Sequence, residues 1–296
     1  MKYNVLVLGA SYSSLFSTKL LMAGHAVAMV CTKPTAELIN REGTVVRLPI
    51  KGRESLLDIS SKKLPGTLSA TTPDEVNPGK FDLTVLGMQE AQYGAPGVRE
   101  LMARVAQARV PCLAIMNMPP LPYLKRIPGL DTESLEACYA DPGVWEGFDP
   151  GLTTLASPDP QAFRPPDQPK NVLQVGLPTN FKAARFAAEE PTALLRNLEV
   201  DIEEARFDTG DGAIEVPVKL KVHARTAPRE NYGACYPRRE RHRLGRRRPG
   251  TSVAAKSHRP ITTILKLDDK TRLGPISNPD FEFGKQESSN FELRRW

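Results

Sequence analysis

A chain of 296 residues, 40% of them hydrophobic, is long enough to bury a large core in one large or two modest domains. The apolar runs are shorter than a membrane span and the N-terminus lacks a signal-peptide layout, so we expect a cytoplasmic protein without a membrane partner. Four cysteines (Cys31, Cys112, Cys138 and Cys235) show neither close pairing nor zinc-ligand spacing, which indicates free thiols in a reducing compartment and no metal site.

The net charge of +6 is unevenly distributed along the chain. Residues 223–296 contain 17 Lys and Arg against 8 Asp and Glu, a balance of +9, whereas residues 1–222 have a balance of −3. Periodic apolar residues also become scarce after His223. We therefore predict a globular domain over residues 1–222, followed by a basic tail over residues 223–296 that is disordered or only partly folded.

The first thirty residues have the pattern of a βαβ unit. Val5 to Leu8 is a short apolar run typical of a strand buried on both faces, and Gly9 ends it. Ser13 to Ala23 places apolar residues near helical spacing, and Gly24 suits a helix C-terminus. A second apolar strand begins at His25 and ends at Val30. A strand, glycine turn, helix and strand in this order open a dinucleotide-binding fold.

The turn of this unit contains only the first of the three glycines of the dinucleotide fingerprint. Ser11 stands where a glycine would let the backbone approach the pyrophosphate, and Ser14 where a glycine would let helix and strand pack closely. A serine hydroxyl can donate to a phosphate, and a helix N-terminus favours an anion. Two interpretations are open: a βαβ unit that binds nothing, or a cofactor site formed by Gly9, Ala10, Ser11, Tyr12, Ser13 and Ser14.

The end of the second strand bears on the choice of cofactor. An NAD-binding unit usually has an acidic residue there to accept from the ribose hydroxyls, whereas this chain has Thr32 and Lys33. A hydroxyl and a cation suit a 2′-phosphate, so NADP is favoured over NAD if a dinucleotide binds. The alternative is a solvated loop lysine.

The pattern of alternating strands and helices continues to about residue 120. It predicts a Rossmann-type parallel sheet with flanking helices, an α/β fold. The residues just past each strand would line one edge of the sheet, where such folds bind ligands; these are Gly9, Thr32, Gly87, Met88, Gln89 and Asn117. The predicted elements are a helix over 35–41, a strand over 44–50, a connection over 60–80, a strand over 81–87, a helix over 97–108 and a strand over 111–116.

The second half of the domain is less regular. Six prolines between Gly143 and Pro169 favour edge strands or an extended loop. A short strand is predicted over 171–176, and residues 191–207 form an amphipathic helix expected to cover the sheet. From Glu215 to His223 apolar residues alternate with polar ones, which is typical of a strand.

Three segments, in this order and spacing, resemble the ketopantoate reductase (2-dehydropantoate 2-reductase) family. They are the strand-GASYSSLF-helix-MAGHAVAMV opening, the FDLTVLGMQEAQ strand and the CLAIMN strand. The resemblance covers residues 1–222 and implies an enzyme of pantothenate biosynthesis that uses NADPH to reduce a small-molecule 2-keto acid. The oligomeric state is not predicted.

The resemblance also implies roles for four residues. Asn117 matches an asparagine that contacts cofactor and substrate, whereas Gln89 stands where the family usually has a lysine near the cofactor. Lys219 matches the lysine that protonates the ketone oxygen, and His223 falls where a substrate-binding asparagine is expected. An ammonium there would stabilise the charge that hydride addition builds on oxygen. The alternative for Lys219 is the solvated face of a strand.

The basic tail departs from the family, which would continue with long apolar helices that complete the substrate site. Two explanations are open: an arginine-rich segment that binds nucleic-acid phosphates, or an out-of-frame product of a GC-rich gene, which the genomic locus would reveal. We do not favour nucleic acid, because no adjacent fold, repeat or aromatic platform supports it. Loss of the helical domain would leave a catalytically impaired NADP-binding relic as the alternative to an active reductase.

Overall fold

A computed structural model of the chain describes residues 1–11, 13–115, 118–157, 162–176 and 180–224. Tyr12, Asn117 and residues 225–296 lie outside this part of the chain. The predictions made for those two residues, for the basic tail and for the domain boundary therefore stay predictions.

The described residues form short strands and helices in close alternation. The helices are α1 (Ser14–Met22), α2 (Lys33–Glu42), α3 (Val98–Gln107), α4 (Leu121–Leu124), α5 (Thr132–Glu136) and α6 (Glu189–Glu204). The strands are β1 (Asn4–Leu8), β2 (Ala26–Val30), β3 (Val45–Leu48), β4 (Leu57–Ser60), β5 (Thr67–Thr71), β6 (Leu83–Leu86), β7 (Cys112–Ala114), β8 (Thr153–Leu155), β9 (Ala162–Phe163), β10 (Val172–Val175), β11 (Phe181–Ala183), β12 (Arg206–Asp208), β13 (Ala213–Glu215) and β14 (Leu220–Val222).

The main sheet has six parallel strands in the order β5-β2-β1-β6-β7-β8. Its central strand β1 is apolar and buried on both faces, as a parallel strand covered by helices must be. Strands β2 and β5 are added in turn on one side of β1. The chain then crosses to the other side of β1, where β6, β7 and β8 are added in turn. The predicted Rossmann-type parallel sheet is confirmed, and its order reverses between β1 and β6.

The prediction of a connection over residues 60–80 is wrong, because β5 lies within it and forms one edge of the main sheet. β5 pairs in parallel with β2 along its whole length. As an edge strand it buries only Ala70, and its sequence Thr-Leu-Ser-Ala-Thr has no apolar run. A strand that buries so little leaves almost no hydrophobic pattern by which it could be recognised.

A second sheet, in the order β4-β3-β10-β9, contains the strands predicted over 44–50 and 171–176. The predicted amphipathic helix is α6, and its main contacts are with β14 and α1. Every residue of α1 is buried. In the described part of the chain, no helix combines the length and the apolar character that crossing a membrane requires.

The helix α1 is buried over its whole length, and its one lysine, Lys19, is only 1% exposed. Its ammonium lies 3.4 Å from the carbonyl oxygen of Val216, which also accepts from the backbone N–H of Val218 at 2.7 Å. Burial, with smaller contributions from the positive charges of Arg206 and Lys219, lowers the pKa of Lys19 from 10.5 to about 8, against an opposing effect of Glu215. Lys19 therefore holds its proton less tightly in the folded chain than in the unfolded chain.

We expect Lys19→Met to raise the free energy of unfolding at pH 7 by about 2 kcal/mol, since the cost of burying a charge disappears. Between pH 8 and 10.5 the unfolded wild type keeps the Lys19 proton and the folded wild type loses it, so wild-type stability gains with rising pH. The variant lacks that gain. Urea unfolding at pH 7, 9 and 10.5 checks this, with the exposed Lys63→Met as control. Equal pH dependence in wild type and Lys19→Met would contradict it.

Candidate functional site

The ends of β1, β2 and β6 meet around Gly9. Its backbone N–H donates to the carbonyl of Val30 at 2.9 Å, and the N–H of Gly87 donates to the carbonyl of Leu8 at 3.0 Å. Gly9 has φ +98°, and a Cβ there would lie 2.7 Å from Cγ of Met88 and 2.8 Å from the Gly87 carbonyl oxygen. Only glycine fits this turn without a shift of its neighbours.

Two serines at the start of α1 differ in how their hydroxyls are used. Ser14 Oγ donates to the carbonyl of Ala10 at 2.8 Å, which anchors the first turn of the helix to the loop before it. Ser13 is 0% exposed, and its Oγ has no hydrogen-bond partner among the described residues. A Cβ at Gly87 would overlap that Oγ, so Gly87 permits the close packing of α1 against β6. A buried hydroxyl without a partner is costly, which points to a ligand at this helix terminus.

The N-terminus of α1 suits an anion for electrostatic reasons as well. The first turn of a helix presents backbone N–H groups without intrahelical acceptors, and the helix dipole adds positive potential. No acidic side chain occupies the first turn of α1. Next to it, at the end of β2, Thr32 precedes α2, with its Oγ1 3.0 Å from Thr35 Oγ1, and Lys33 is exposed in the first turn of α2. The site is therefore positive on two adjoining helix ends.

The loop after β6 forms the other wall of the Gly9 turn. The N–H of Met88 donates to the hydroxyl of Tyr93 at 3.1 Å, and the N–H of Gln89 donates to Gln92 Oε1 at 2.8 Å. Met88 is buried, whereas Gln89 is partly exposed. Ten of the predicted cofactor residues thus lie on three strand ends at one edge of the sheet: Gly9, Ala10, Ser11, Ser13, Ser14, Thr32, Lys33, Gly87, Met88 and Gln89.

Sequence reasoning missed one residue at this edge, Arg164. Its Nη2 donates to the carbonyl of Ala10 at 3.1 Å, and its guanidinium acts electrostatically on Cys31 at the end of β2. Arg164 follows β9, in a proline-rich stretch 154 residues from Ala10. No local pattern connects these residues, because the second sheet brings them together.

Lys219 lies directly before β14, on the polar side of the predicted strand. The predicted alternation of burial is present, since Val216, Val218 and Leu220 are buried and Lys219 is partly exposed, but the single strand predicted over 215–223 is wrong, because residues 216–219 separate β13 from β14. Its Nζ lies 3.0 Å from Glu203 Oε1 and 3.2 Å from Glu215 Oε1. Hydrogen bonds to these two carboxylates raise the pKa of Lys219, so its ammonium is protonated across the neutral range.

The second residue predicted on this strand, His223, follows β14. Its backbone N–H donates to the carbonyl of Ala183 at 2.8 Å. Its buried Nε2 has no partner among the described residues. Lys219 connects to α1 through Phe181, whose N–H donates to the Lys219 carbonyl at 2.8 Å and whose ring packs 5.2 Å from that of Phe16. The described contacts of Lys219 and His223 therefore involve β11, α6 and β13, and not the Gly9 turn.

No protein-family model matches the chain, and no curated protein matches it at a significant level. Solved structures do match. A protein of Ralstonia solanacearum MolK2 assigned as a ketopantoate reductase aligns with a TM-score of 0.51 at 13% identity, over 76% of this chain and 61% of that one. A protein of Enterococcus faecalis assigned as a 2-dehydropantoate 2-reductase aligns with a TM-score of 0.48 at 12% identity, over 79% of this chain and 61% of that one.

The chain therefore spans less than two thirds of the length of either structure. A structural match at such low sequence identity shows the fold and leaves the activity to be tested. The resemblance seen in the sequence is confirmed at this level: the chain has the fold of the Ralstonia solanacearum structure, which is assigned as a ketopantoate reductase.

Proposed function

We propose that this protein is a member of the ketopantoate reductase family that uses NADPH to reduce a 2-keto acid. The observation that carries the proposal is the Gly9 turn and the N-terminus of α1, located where the strand order of the main sheet reverses. Open α/β sheets bind dinucleotides in the crevice at this switch point. The matching fold of a protein assigned as a ketopantoate reductase supports the same conclusion.

The residues at the switch point fit an NADP molecule. The unpartnered Ser13 hydroxyl and the backbone N–H groups of the first turn of α1 would hold the pyrophosphate. Thr32 and Lys33 would face the ribose end, where a cation favours a 2′-phosphate over a free hydroxyl. The bound coenzyme would supply the hydride, and the protein would orient the 2-keto acid and protonate its oxygen.

Lys219 is the residue we assign to that protonation. A ketone that accepts hydride becomes an alkoxide, and an ammonium nearby both stabilises the charge and donates the proton. The raised pKa of Lys219 keeps the ammonium protonated before the reaction. Asn117 and His223 would bind the substrate, as the family resemblance implies.

A second candidate, an NADP-binding protein without catalysis, is favoured by one observation. The Lys219 ammonium is paired with two carboxylates, Glu203 and Glu215, and an ammonium held by two anions is less available to a substrate.

Turnover separates the two candidates. The full chain is incubated with NADPH and ketopantoate, and NADPH absorbance is followed, with NADH in a parallel assay. The proposed reductase oxidises NADPH only when the keto acid is present, and faster than NADH. Binding of NADPH without oxidation on addition of ketopantoate would favour the second candidate.

A further inference from the structure

The position of Arg164 depends on the second sheet. β9 pairs antiparallel with β10 and ends at Phe163, so the next residue, Arg164, projects from the edge of that sheet. There its Nη2 donates to the Ala10 carbonyl at 3.1 Å, an oxygen that also accepts from Ser14 Oγ. The guanidinium is therefore held beside the loop that leads from β1 into α1.

Within the described part of the chain, the positive charge of Arg164 has no counter-charge beside it. Arg164 is partly buried, and no carboxylate among the described residues pairs with it. Its neighbour Cys31 is a neutral thiol, because burial raises the pKa of that group to about 11. Burial also lowers the pKa of the guanidinium. A partly buried cation whose described hydrogen bond is to a neutral carbonyl is costly, and an anionic ligand would remove that cost.

The location of Arg164 indicates which phosphate it meets. A pyrophosphate lies over the N-terminus of α1, whereas the adenosine ribose is recognised at the end of the second strand. Arg164 is bonded to Ala10, and the preceding Gly9 donates its N–H to the carbonyl of Val30 at the end of β2, three residues before Lys33. A guanidinium presents a planar pair of donors that matches phosphate.

We infer that Arg164 joins Lys33 in selecting NADP over NAD, by pairing with the 2′-phosphate of the adenosine ribose. The inference rests on the proposed function, since it presumes that a dinucleotide binds at the switch point. The cofactor site thus contains one side chain from a segment about 150 residues away from its loop.

Four ligands test the inference: NADPH, NADH, 2′,5′-ADP and 5′-ADP, each titrated into the full chain by calorimetry. In wild type, 2′,5′-ADP is expected to bind at least tenfold more tightly than 5′-ADP. Arg164→Gln is expected to weaken the binding of NADPH and of 2′,5′-ADP by about 10- to 100-fold, the loss typical of a charge-assisted pair. The affinities for NADH and 5′-ADP are expected to change by less than about threefold. Arg196→Gln, at an exposed position of α6, is the matched control and should leave all four unchanged.

Equal weakening of NADPH and NADH in Arg164→Gln would overturn the inference, since it would assign Arg164 to the pyrophosphate or to the shape of the loop. Equal affinity of the wild type for 2′,5′-ADP and 5′-ADP would also overturn the inference. This comparison needs no variant, so it remains a test even if Arg164→Gln fails to fold. Failure of wild type to bind any of the four ligands would instead overturn the proposed function on which the inference rests.

Discussion

Gly9→Ala is expected to lower the free energy of unfolding by about 2 to 4 kcal/mol. The φ of +98° alone costs an L-residue about 1 to 2 kcal/mol. The added methyl would also lie 2.8 Å from the Gly87 carbonyl oxygen, a backbone atom of the neighbouring strand end that cannot move alone. Because the same turn starts α1, NADPH binding should weaken as well. Urea unfolding of the variant and wild type measures the change in stability.

Gly52→Ala is the matched control for this substitution. Gly52 has φ +86°, and a Cβ there would meet nothing within 4 Å. Its loss of stability therefore reports the cost of positive φ alone, and Gly9→Ala should exceed it by about 1 to 3 kcal/mol. Equal losses in the two variants would show that the strand ends do not press against Gly9.

Lys219→Met is expected to lower kcat for 2-keto acid reduction by about 10²- to 10⁴-fold, the usual contribution of a positioned general acid. The affinity for NADPH should stay within threefold of wild type, since the described contacts of Lys219 lie away from the Gly9 turn. Steady-state kinetics with ketopantoate, together with NADPH titration, separates the two effects.

Lys221→Met controls for the loss of a surface charge beside the same carboxylates. Lys221 lies two residues along, on the same side of β14, with its Nζ 3.5 Å from Glu203 Oε2 and 3.8 Å from Glu199 Oε1. It should keep kcat within about threefold of wild type, because an exposed ion pair contributes little. If both variants lost activity equally, Lys219 would be a structural residue and its assignment as general acid would be wrong.

The main sheet could be predicted where its buried strands are also apolar. β1, β2, β6 and β7 appear in the sequence as short apolar runs, and the glycine after β1 marks the turn. β5 could not be predicted, because an edge strand with one buried residue has no such run. The helix α6 was predicted from its apolar stripe, but a stripe does not show whether it packs on a sheet or on another helix.

The candidate site could be predicted only in its local parts. The residues after each strand follow from the rule that parallel strands end at one edge. The proximity of Arg164 to Ala10 depends on a second sheet formed by distant segments, and no spacing in the sequence records it. Similarly, the alternation from Glu215 to His223 placed Lys219 on a polar face, but its pairing with Glu203 depends on where α6 ends.

The most direct test of a dinucleotide site at the reversal of strand order is titration of the full chain with NADPH and NADH, followed by nicotinamide fluorescence. We expect saturable binding of NADPH with a Kd in about the micromolar range, and weaker binding of NADH. Absence of saturable binding for both nucleotides would contradict the account. The chain would then share the fold of a ketopantoate reductase without its cofactor.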